Sequence, residues 1–200
     1  MTVEMAASNE GKMEALRIKT IADHGYTDAA ANPSKYPAGM FSICTGSYDI
    51  KTAFTEMDAV YTNKPPGGVA YRCSFRVTEA VHAIERVVDV LAKKLDRDPA
   101  ELRMQNFIQP EEFPYHSALG WEYDSGDYPR ALKLAMDKIG YEDLRKEQLI
   151  KRSNGELMGI GCLVSLSLRF CSKSRYSLTS GMNAYFTTVK HFNPQNIEVF

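Results

Sequence analysis

The chain lacks a long hydrophobic run. Its 200 residues contain no apolar stretch near the roughly 20 residues that a membrane-spanning helix requires. The N-terminus also lacks the charged segment followed by an apolar segment that is typical of a signal peptide. We therefore expect no transmembrane segment and a cytoplasmic location.

The sequence is also poor in net charge and in cysteine. A formal net charge of -1 and the absence of a basic cluster argue against a nucleic-acid-binding protein. The four cysteines form no CxxC pair and no zinc-finger spacing, so a disulfide framework is not predicted. At this length we expect one domain, or one domain with an appendage.

The first third of the chain shows the pattern of β-strands. Residues 1–8 predict a strand, a turn at 9–12 follows, and apolar and polar residues then alternate over 16–21 as in a half-buried strand. A third strand is predicted at 52–61. We interpret the first two strands as a hairpin and the whole set as antiparallel.

Helical patterns dominate the middle of the chain. Apolar residues recur at helical spacing from Val77 to Leu95, which predicts a long core-packing helix. Asp98 followed by Pro99 predicts the capped start of a second helix. A third is predicted to begin near Asp127 and end at Gly140, where a fourth follows. The fold class we predict is α+β, with antiparallel strands first, then a long helix and three further helices.

One segment combines features that suit a functional site. Between Gly67 and Arg76, two glycines free the backbone and a thiol lies directly before the long helix. Cys73 is flanked by Arg72 and Arg76, so positive charge and the helix dipole favour its thiolate. That suits a metal ligand or a nucleophile. A buried, unreactive cysteine that packs as a small hydrophobe is the alternative, and the residues alone leave both open.

Other pairs of reactive residues give weaker signals. Asp23 and His24 are adjacent, but neighbouring strand residues point to opposite faces, so a surface or structural histidine is favoured. The pair Glu111 and Glu112 is interpreted as solvated. A cysteine hydrolase that uses Cys73 with a histidine is a third hypothesis, although no spacing favours any histidine as the base. The four histidines are His24, His82, His116 and His191.

The segment around Cys73 also resembles a known loop. The heptad from Ala70 to Arg76 is similar to the active-site loop of the large, molybdenum-containing subunit of aerobic carbon monoxide dehydrogenase, in the xanthine dehydrogenase and aldehyde oxidase family. The cysteine within the heptad is particular to the carbon monoxide enzymes. The resemblance extends from about residue 2 to about residue 161. Its other matching segments are residues 61–64, 77–81, 106–108, 113–115 and 121–126.

The resemblance implies roles for the loop residues. Cys73 would bind copper(I), a soft ion that prefers thiolate ligands. A sulfide would join that copper to the molybdenum of a molybdopterin cytosine dinucleotide cofactor. Arg72 and Phe75 are the implied catalytic residues, with Arg72 shaping the site and Phe75 lining the substrate channel. The implied cofactor-binding residues are Gly67, Gly68, Ala70, Tyr71, Arg72, Ser74 and Arg76.

The implied activity is that of an oxidoreductase. Carbon monoxide would be oxidised with water to carbon dioxide, and two electrons would pass to an iron–sulfur subunit and a flavin subunit. Family subunits are several times longer, so the resemblance implies that the cofactor binds only when further segments complete the site. Alternatives are a related molybdenum hydroxylase acting on aldehydes and an inactive fragment of a truncated or frame-shifted gene.

The composition changes near residue 161. Residues 157–197 contain no aspartate or glutamate, and the resemblance stops near Gly161. We therefore predict a partial molybdopterin-binding domain over residues 1–161 and a divergent, poorly ordered tail over 162–200. A second sheet beginning near Leu157, as a divergent strand pair, is the alternative. Exposed apolar faces on the partial domain would make the protein self-associate.

Overall fold

The computed structural model describes residues 1–23, 25–26, 42–65, 77–167 and 181–189. Within these ranges the chain forms seven strands and four α-helices, with a 3-10 helix at Pro110–Glu112. The strands are β1 (Thr2–Ala7), β2 (Met13–Asp23), β3 (Thr52–Val60), β4 (Tyr115–His116), β5 (Glu122–Tyr123), β6 (Gly159–Ser167) and β7 (Gly181–Val189). The helices are α1 (Val77–Lys94), α2 (Pro99–Asn106), α3 (Tyr128–Ile139) and α4 (Tyr141–Ser153). The predicted α+β class is confirmed.

The first two strands form the predicted antiparallel hairpin. Gly11 has a φ of +85° in the turn, a left-handed conformation that glycine adopts without strain. Along β2, side chains from Leu16 to Ala22 alternate between buried and exposed, so one face of the strand joins the core. The alternation expected over 16–21 is confirmed.

The third strand corrects one part of the sequence prediction. β3 pairs with β2 in parallel, so the three-stranded sheet is mixed and its order is β1-β2-β3. Residues 24–51 separate the two strands, and a connection of that length can return the chain to the same end of the sheet. The pattern of a single strand carries no information about its direction, which is why the antiparallel prediction was wrong for β3.

Helix α1 packs its apolar stripe against β1 and α2. Within the stripe, Ile84 and Val88 are fully buried and Ala80 lies against the same core. Burying one such large aliphatic side chain contributes about 1.5–3 kcal/mol. The predicted core role of this helix is therefore confirmed.

Local capping signals set the other helix boundaries. The Asp98 carboxylate accepts hydrogen bonds from the backbone N–H groups of Ala100 and Glu101, at 2.7 and 3.3 Å, and so caps α2 as predicted. Gly140 takes a φ of +65° between α3 and α4, where a side chain would add strain. Residues 109–126, predicted as a loop, contain the 3-10 helix and the short β4–β5 pair.

Two strands after residue 157 pair with each other within the described residues. β6 and β7 are antiparallel, with Gly159 opposite Val189 and Ser167 opposite Gly181. This arrangement is the strand-pair alternative for the segment after residue 157. The domain boundary near residue 161 and the ordering of the whole 162–200 segment stay predictions.

Candidate functional site

The predicted site residues lie outside the described residues. Gly67, Gly68, Ala70, Tyr71, Arg72, Cys73, Ser74, Phe75 and Arg76 all fall within 66–76. Their assignments therefore stay predictions. The structure does describe the chain on both sides of this segment, up to Pro65 and again from Val77. The arrangement is a strand followed by the segment and then a helix, as the sequence predicted.

The chain entering the segment is bound to the end of β2 through Asp23. One Asp23 oxygen, Oδ1, accepts hydrogen bonds from the Thr62 hydroxyl at 2.7 Å and from the Gly25 N–H at 2.9 Å. The other, Oδ2, pairs with the Lys64 ammonium at 3.0 Å. These contacts, the Thr62 hydroxyl foremost, hold the pKa of the Asp23 carboxyl at about 2. Asp23 is therefore charged at neutral pH.

Backbone contacts reinforce the same junction. The Thr62 N–H donates to the Gly25 carbonyl at 2.9 Å, and the Tyr26 N–H donates to the Lys64 carbonyl at 3.0 Å. Gly25 has a φ of +73°, and a Cβ built on it would lie 2.4 Å from the Pro65 carbonyl oxygen. Contacts that close cannot be relieved by rotating a side chain, so glycine is required there. The close approach fixes the path of residues 64–65 directly before the segment.

The helix that leaves the segment is held by a buried charge network. Arg103 of α2 is fully buried and pairs with Glu85 and Asp89 of α1, each at 2.8 Å. The Tyr48 hydroxyl donates to Glu85 Oε1 at 2.9 Å. Burial raises the pKa of the Glu85 carboxyl, and the guanidinium of Arg103 and the Tyr48 hydroxyl oppose that rise. The network joins α1 and α2 to Tyr48, which lies shortly before β3.

A second cluster gathers around Asp49 at the side of the sheet. Its carboxylate pairs with the Lys12 ammonium at 3.0 Å, accepts a hydrogen bond from the Tyr115 hydroxyl at 2.9 Å and also pairs with Lys51. Partial burial favours the neutral carboxyl, but the hydrogen bonds from Lys51, Lys12 and Tyr115 together outweigh it and lower the pKa of Asp49. Two ammonium groups compensate the charge of the one carboxylate, and the contacts join the hairpin turn to β4. The cluster therefore offers no free acid or base.

The described histidines and cysteines do not assemble a site. His82 and His116 are exposed. Cys44 and Cys162 are buried, and burial raises the pKa of each thiol to about 12, so both are protonated at neutral pH. Over the described ranges, no three His, Cys, Asp or Glu side chains converge where they could hold a metal ion. His24, His191 and Cys171 lie outside the described residues.

Two remaining sequence interpretations concern residues that the structure describes. Glu111 and Glu112 are exposed, as expected of solvated carboxylates, and Glu112 accepts a hydrogen bond from the Gln109 N–H at 2.7 Å. In the described parts of the chain, no helix is long and apolar enough to cross a membrane.

Sequence reasoning missed Asp23 and Arg103 as structural determinants around the segment. From the sequence, Asp23 is considered only as the neighbour of His24, and Glu85 carries no prediction. In the structure Glu85 is buried with Arg103. The spacing of Glu85 and Asp89 by four residues places both carboxylates on one face of the helix, but it does not identify Arg103 as their partner.

Comparisons with known proteins give a consistent picture. A family model described as molybdopterin cofactor-binding domain matches residues 1–107. The carbon monoxide dehydrogenase large chain of Afipia carboxidovorans is 59% identical over an alignment of 167 residues, and the match covers 80% of this chain and 21% of that one. The chain thus spans about a fifth of the length of that relative.

Solved structures show the same similarity. Reconstituted CO dehydrogenase from Oligotropha carboxidovorans matches with a TM-score of 0.75 and 56% identity, covering 82% of this chain and 21% of that chain. The Cu,Mo-CO dehydrogenase in its carbon monoxide reduced state matches with a TM-score of 0.74 and 55% identity, covering 82% and 22%.

Proposed function

The chain belongs to the molybdopterin cofactor-binding domain family, and from that premise we propose that it is part of the catalytic large subunit of a molybdenum–copper carbon monoxide dehydrogenase. The observation that carries the proposal is the 59% identity to a carbon monoxide dehydrogenase large chain. Cys73 within its heptad supports the carbon monoxide enzyme over a related hydroxylase acting on aldehydes. The proposed activity is an oxidoreductase activity.

The donor atoms of the chain fit a copper(I) ligand at one cysteine. The two described thiols, Cys44 and Cys162, are buried and protonated and so are poor metal ligands. Of the other two cysteines, Cys73 alone lies in the heptad that resembles the copper-binding loop, between Arg72 and Arg76. A thiolate beside cations and before a helix N-terminus forms readily and is the donor that copper(I) prefers.

The residues of the chain would act as follows. Cys73 would hold copper(I), Arg72 would shape the site and Phe75 would line an apolar path for carbon monoxide. The backbone over residues 67–76 would lie beside the molybdopterin cytosine dinucleotide. When bound, the molybdenum–copper centre would supply the oxidation of carbon monoxide with water to carbon dioxide, which releases two protons and two electrons. Iron–sulfur and flavin subunits are the proposed acceptors of those electrons.

The domain assignment follows from the same proposal. Residues 1–161 form part of a molybdopterin-binding domain, and residues 162–200 diverge from it. Because the chain spans 21% of the relative's length, further segments of a large subunit would complete the cofactor site. We propose a cytoplasmic location for the assembled enzyme.

Copper analysis of the holo-complex that contains this chain tests the proposal. We expect about one copper per chain, lost in Cys73→Ser and retained in the control Cys44→Ser, which removes a buried thiol elsewhere in the chain. Carbon monoxide oxidation, followed by reduction of a dye, should be lost with the copper. A holo-complex without copper at Cys73 would contradict the proposal.

The inactive-fragment hypothesis makes a different prediction. If the chain comes from a disrupted gene, the coding sequence on either side should contain the remaining large-subunit segments in another reading frame. Sequencing the flanking DNA and translating it in all frames distinguishes the two. Remaining segments recovered in frame, together with genes for iron–sulfur and flavin subunits, would support a working enzyme.

A further inference from the structure

The turn after α4 contains the only Asn-Gly step in the sequence, at Asn154 and Gly155. Both residues are exposed, and so is Glu156 after them. In such a step the backbone nitrogen of the glycine can attack the side-chain amide of the asparagine, because glycine has no Cβ that hinders the approach. The step is therefore a candidate for spontaneous modification, and the surrounding structure decides how fast it reacts.

The reaction is a deamidation, and it changes no oxidation state. The Gly155 nitrogen forms a bond to Asn154 Cγ, the Cγ–Nδ2 bond breaks, and ammonia leaves with the former N–H proton. Water then opens the resulting cyclic succinimide at either carbonyl, which gives aspartate or isoaspartate. Water is the only co-reactant, and the balance is asparagine plus water giving the acid plus ammonia.

The fold holds this step in an unreactive conformation. Asn154 is the C-cap residue of α4, with a φ of -88° and a ψ of 3°. At that ψ the Gly155 nitrogen is turned away from the Asn154 side chain, so ring closure requires rotation about the Cα–C bond. The Gly155 N–H is also engaged, since it donates to the Arg152 carbonyl at 3.1 Å.

Two further contacts keep the turn closed. Gly155 has a φ of +77°, and the Glu156 N–H donates to the Lys151 carbonyl at 2.9 Å, which together form the Schellman motif that ends many helices. Beyond the turn, the buried Gln148 side chain donates from Nε2 to the Met158 carbonyl at 2.8 Å. That hydrogen bond joins the helix to the chain on the far side of the turn.

We propose that Asn154 is a deamidation site whose reaction is controlled by opening of the C-terminal end of α4. Local opening of a helix end costs less free energy than unfolding of the whole chain. An opening here breaks the hydrogen bond of the Gly155 N–H and frees the ψ of Asn154 together. The reaction rate is then set by the population of the open state. This site is independent of copper ligation by Cys73.

The products cannot close the turn as asparagine does. Isoaspartate routes the main chain through its Cβ and Cγ, and the longer backbone no longer fits the hydrogen bonds across residues 151–156. Aspartate keeps the chain length but places a carboxylate at the negative end of the helix dipole, near Glu156. Lys151 and Arg152 in the last turn reduce that repulsion, so we expect isoaspartate to disrupt the turn more. Deamidation is therefore a one-way change that weakens the connection between α4 and β6.

The test follows Asn154 in the 200-residue chain at neutral pH. Trypsin releases residues 153–169 as one peptide with a single asparagine and no glutamine, so mass spectrometry reads this site alone. The folded chain is compared with the same chain unfolded in guanidinium chloride. We expect the unfolded chain to deamidate about tenfold faster, because nothing then opposes the reactive conformation.

Two variants test whether the contact across the turn controls the rate. Gln148→Met removes the hydrogen bond to Met158 and should raise the rate in the folded chain about fivefold, the effect of one lost hydrogen bond. Lys146→Met is the control on the same helix, since it breaks only the exposed pair with Asp143 at 3.2 Å, and should leave the rate unchanged. In guanidinium chloride both variants should react as the unmodified chain does.

Gly155→Ala separates opening of the helix end from the chemistry. A Cβ at this position meets nothing within 4 Å, but the φ of +77° strains any residue with a side chain, so the helix end should open more often. The added methyl group also hinders the attack on Asn154. We expect faster hydrogen exchange at the Glu156 N–H together with slower deamidation, in the folded and the unfolded chain.

Each outcome supports or overturns the proposal. Equal rates in the folded and unfolded chains would overturn control by the fold, and an unreactive Asn154 in the unfolded chain would overturn the site itself. Equal acceleration by Lys146→Met and Gln148→Met would contradict the role of the contact across the turn. If circular dichroism shows that Gln148→Met is unfolded, Gln148→Glu replaces it, because it keeps the oxygen that accepts from Arg145 at 2.6 Å and loses only the donor to Met158.

Discussion

At the scale of single residues, a buried arginine has the largest expected influence on stability. Arg103 is fully buried, and its guanidinium serves two carboxylates of α1 as well as the Pro99 carbonyl at 3.1 Å. Glu85, one of those carboxylates, is itself 8% exposed. A charge in such surroundings is stable only while its partners remain.

Removing that arginine should destabilise the chain strongly. In Arg103→Met the carboxylates of Glu85 and Asp89 lose their counter-charge, and breaking a buried pair costs about 3–5 kcal/mol. Arg17→Met is the control, because Arg17 forms an exposed pair with Glu4 at 3.3 Å, worth about 1 kcal/mol or less. Urea denaturation followed by circular dichroism measures both. Equal losses in the two variants would contradict this account of the network.

The carboxyl of Asp23 gives a prediction that depends on pH. Its pKa in the folded chain is about 2, below the ordinary 3.8, so its contacts add to stability above pH 3.8 and that contribution disappears as the pH falls through 2. The Thr62 hydroxyl is the largest cause of the shift. Thr62→Val should therefore raise the pKa of Asp23 more than Lys64→Met does. Carbon-detected NMR titration of the carboxyl measures this, and the reverse order would contradict it.

At the scale of elements, the cap of α2 also joins that helix to α4. Besides capping two N–H groups, the Asp98 carboxylate accepts a hydrogen bond from the Tyr141 hydroxyl at 3.0 Å and pairs with Arg145 at 3.0 Å. The Asp98 side chain therefore caps the N-terminus of α2 and also binds α4. The sequence predicted the cap, whereas the contact with α4 depends on how the helices pack.

Loss of this cap should be measurable as a change in the free energy of unfolding. Asp98→Ala removes the cap and both contacts to α4, and we expect a loss of about 1–2 kcal/mol. Asp98→Asn keeps an accepting oxygen and loses only the charge facing Arg145, so its loss should be smaller. Thermal unfolding of both variants gives the comparison. If Asp98→Asn is as unstable as Asp98→Ala, the cap contributes nothing measurable.

At the scale of the whole molecule, exposed apolar residues are concentrated near the end of α4. Leu149 and Ile150 are 62% and 63% exposed, and Leu157 follows shortly after the helix. Such residues favour association when they are contiguous. Phe54 and Ile21 on the sheet are also exposed, and self-association of the chain stays a prediction.

Self-association is testable by sedimentation velocity. The double variant Leu149→Gln and Ile150→Gln should shift the chain toward monomer at micromolar concentration, because it removes apolar surface without touching the core. Lys146→Gln with Glu142→Gln on the same helix is the control for a changed surface. A distribution unchanged by the leucine and isoleucine substitutions would show that this face does not drive association.

The sequence by itself determined those features that depend on neighbouring residues. Short local patterns predicted four features that the structure has. They are the alternation along β2, the apolar stripe of α1, the Asp98 cap and the glycine at 140. The heptad around Cys73 also pointed to the molybdenum enzyme family, which the family model and the relatives confirm. The assigned roles of the residues from Gly67 to Arg76 stay predictions.

Tertiary structure alone decided the features that join distant parts of the chain. The parallel direction of β3, the pairing of Arg103 with Glu85 and the binding of Thr62 and Lys64 by Asp23 each connect residues 18 or more positions apart. No local pattern specifies such contacts, since polar residues at these positions also suit an exposed surface. These polar residues find their partners only when the elements pack together. The contacts of Asp23 hold the chain before residues 66–76, and the contacts of Arg103 hold the helix after them.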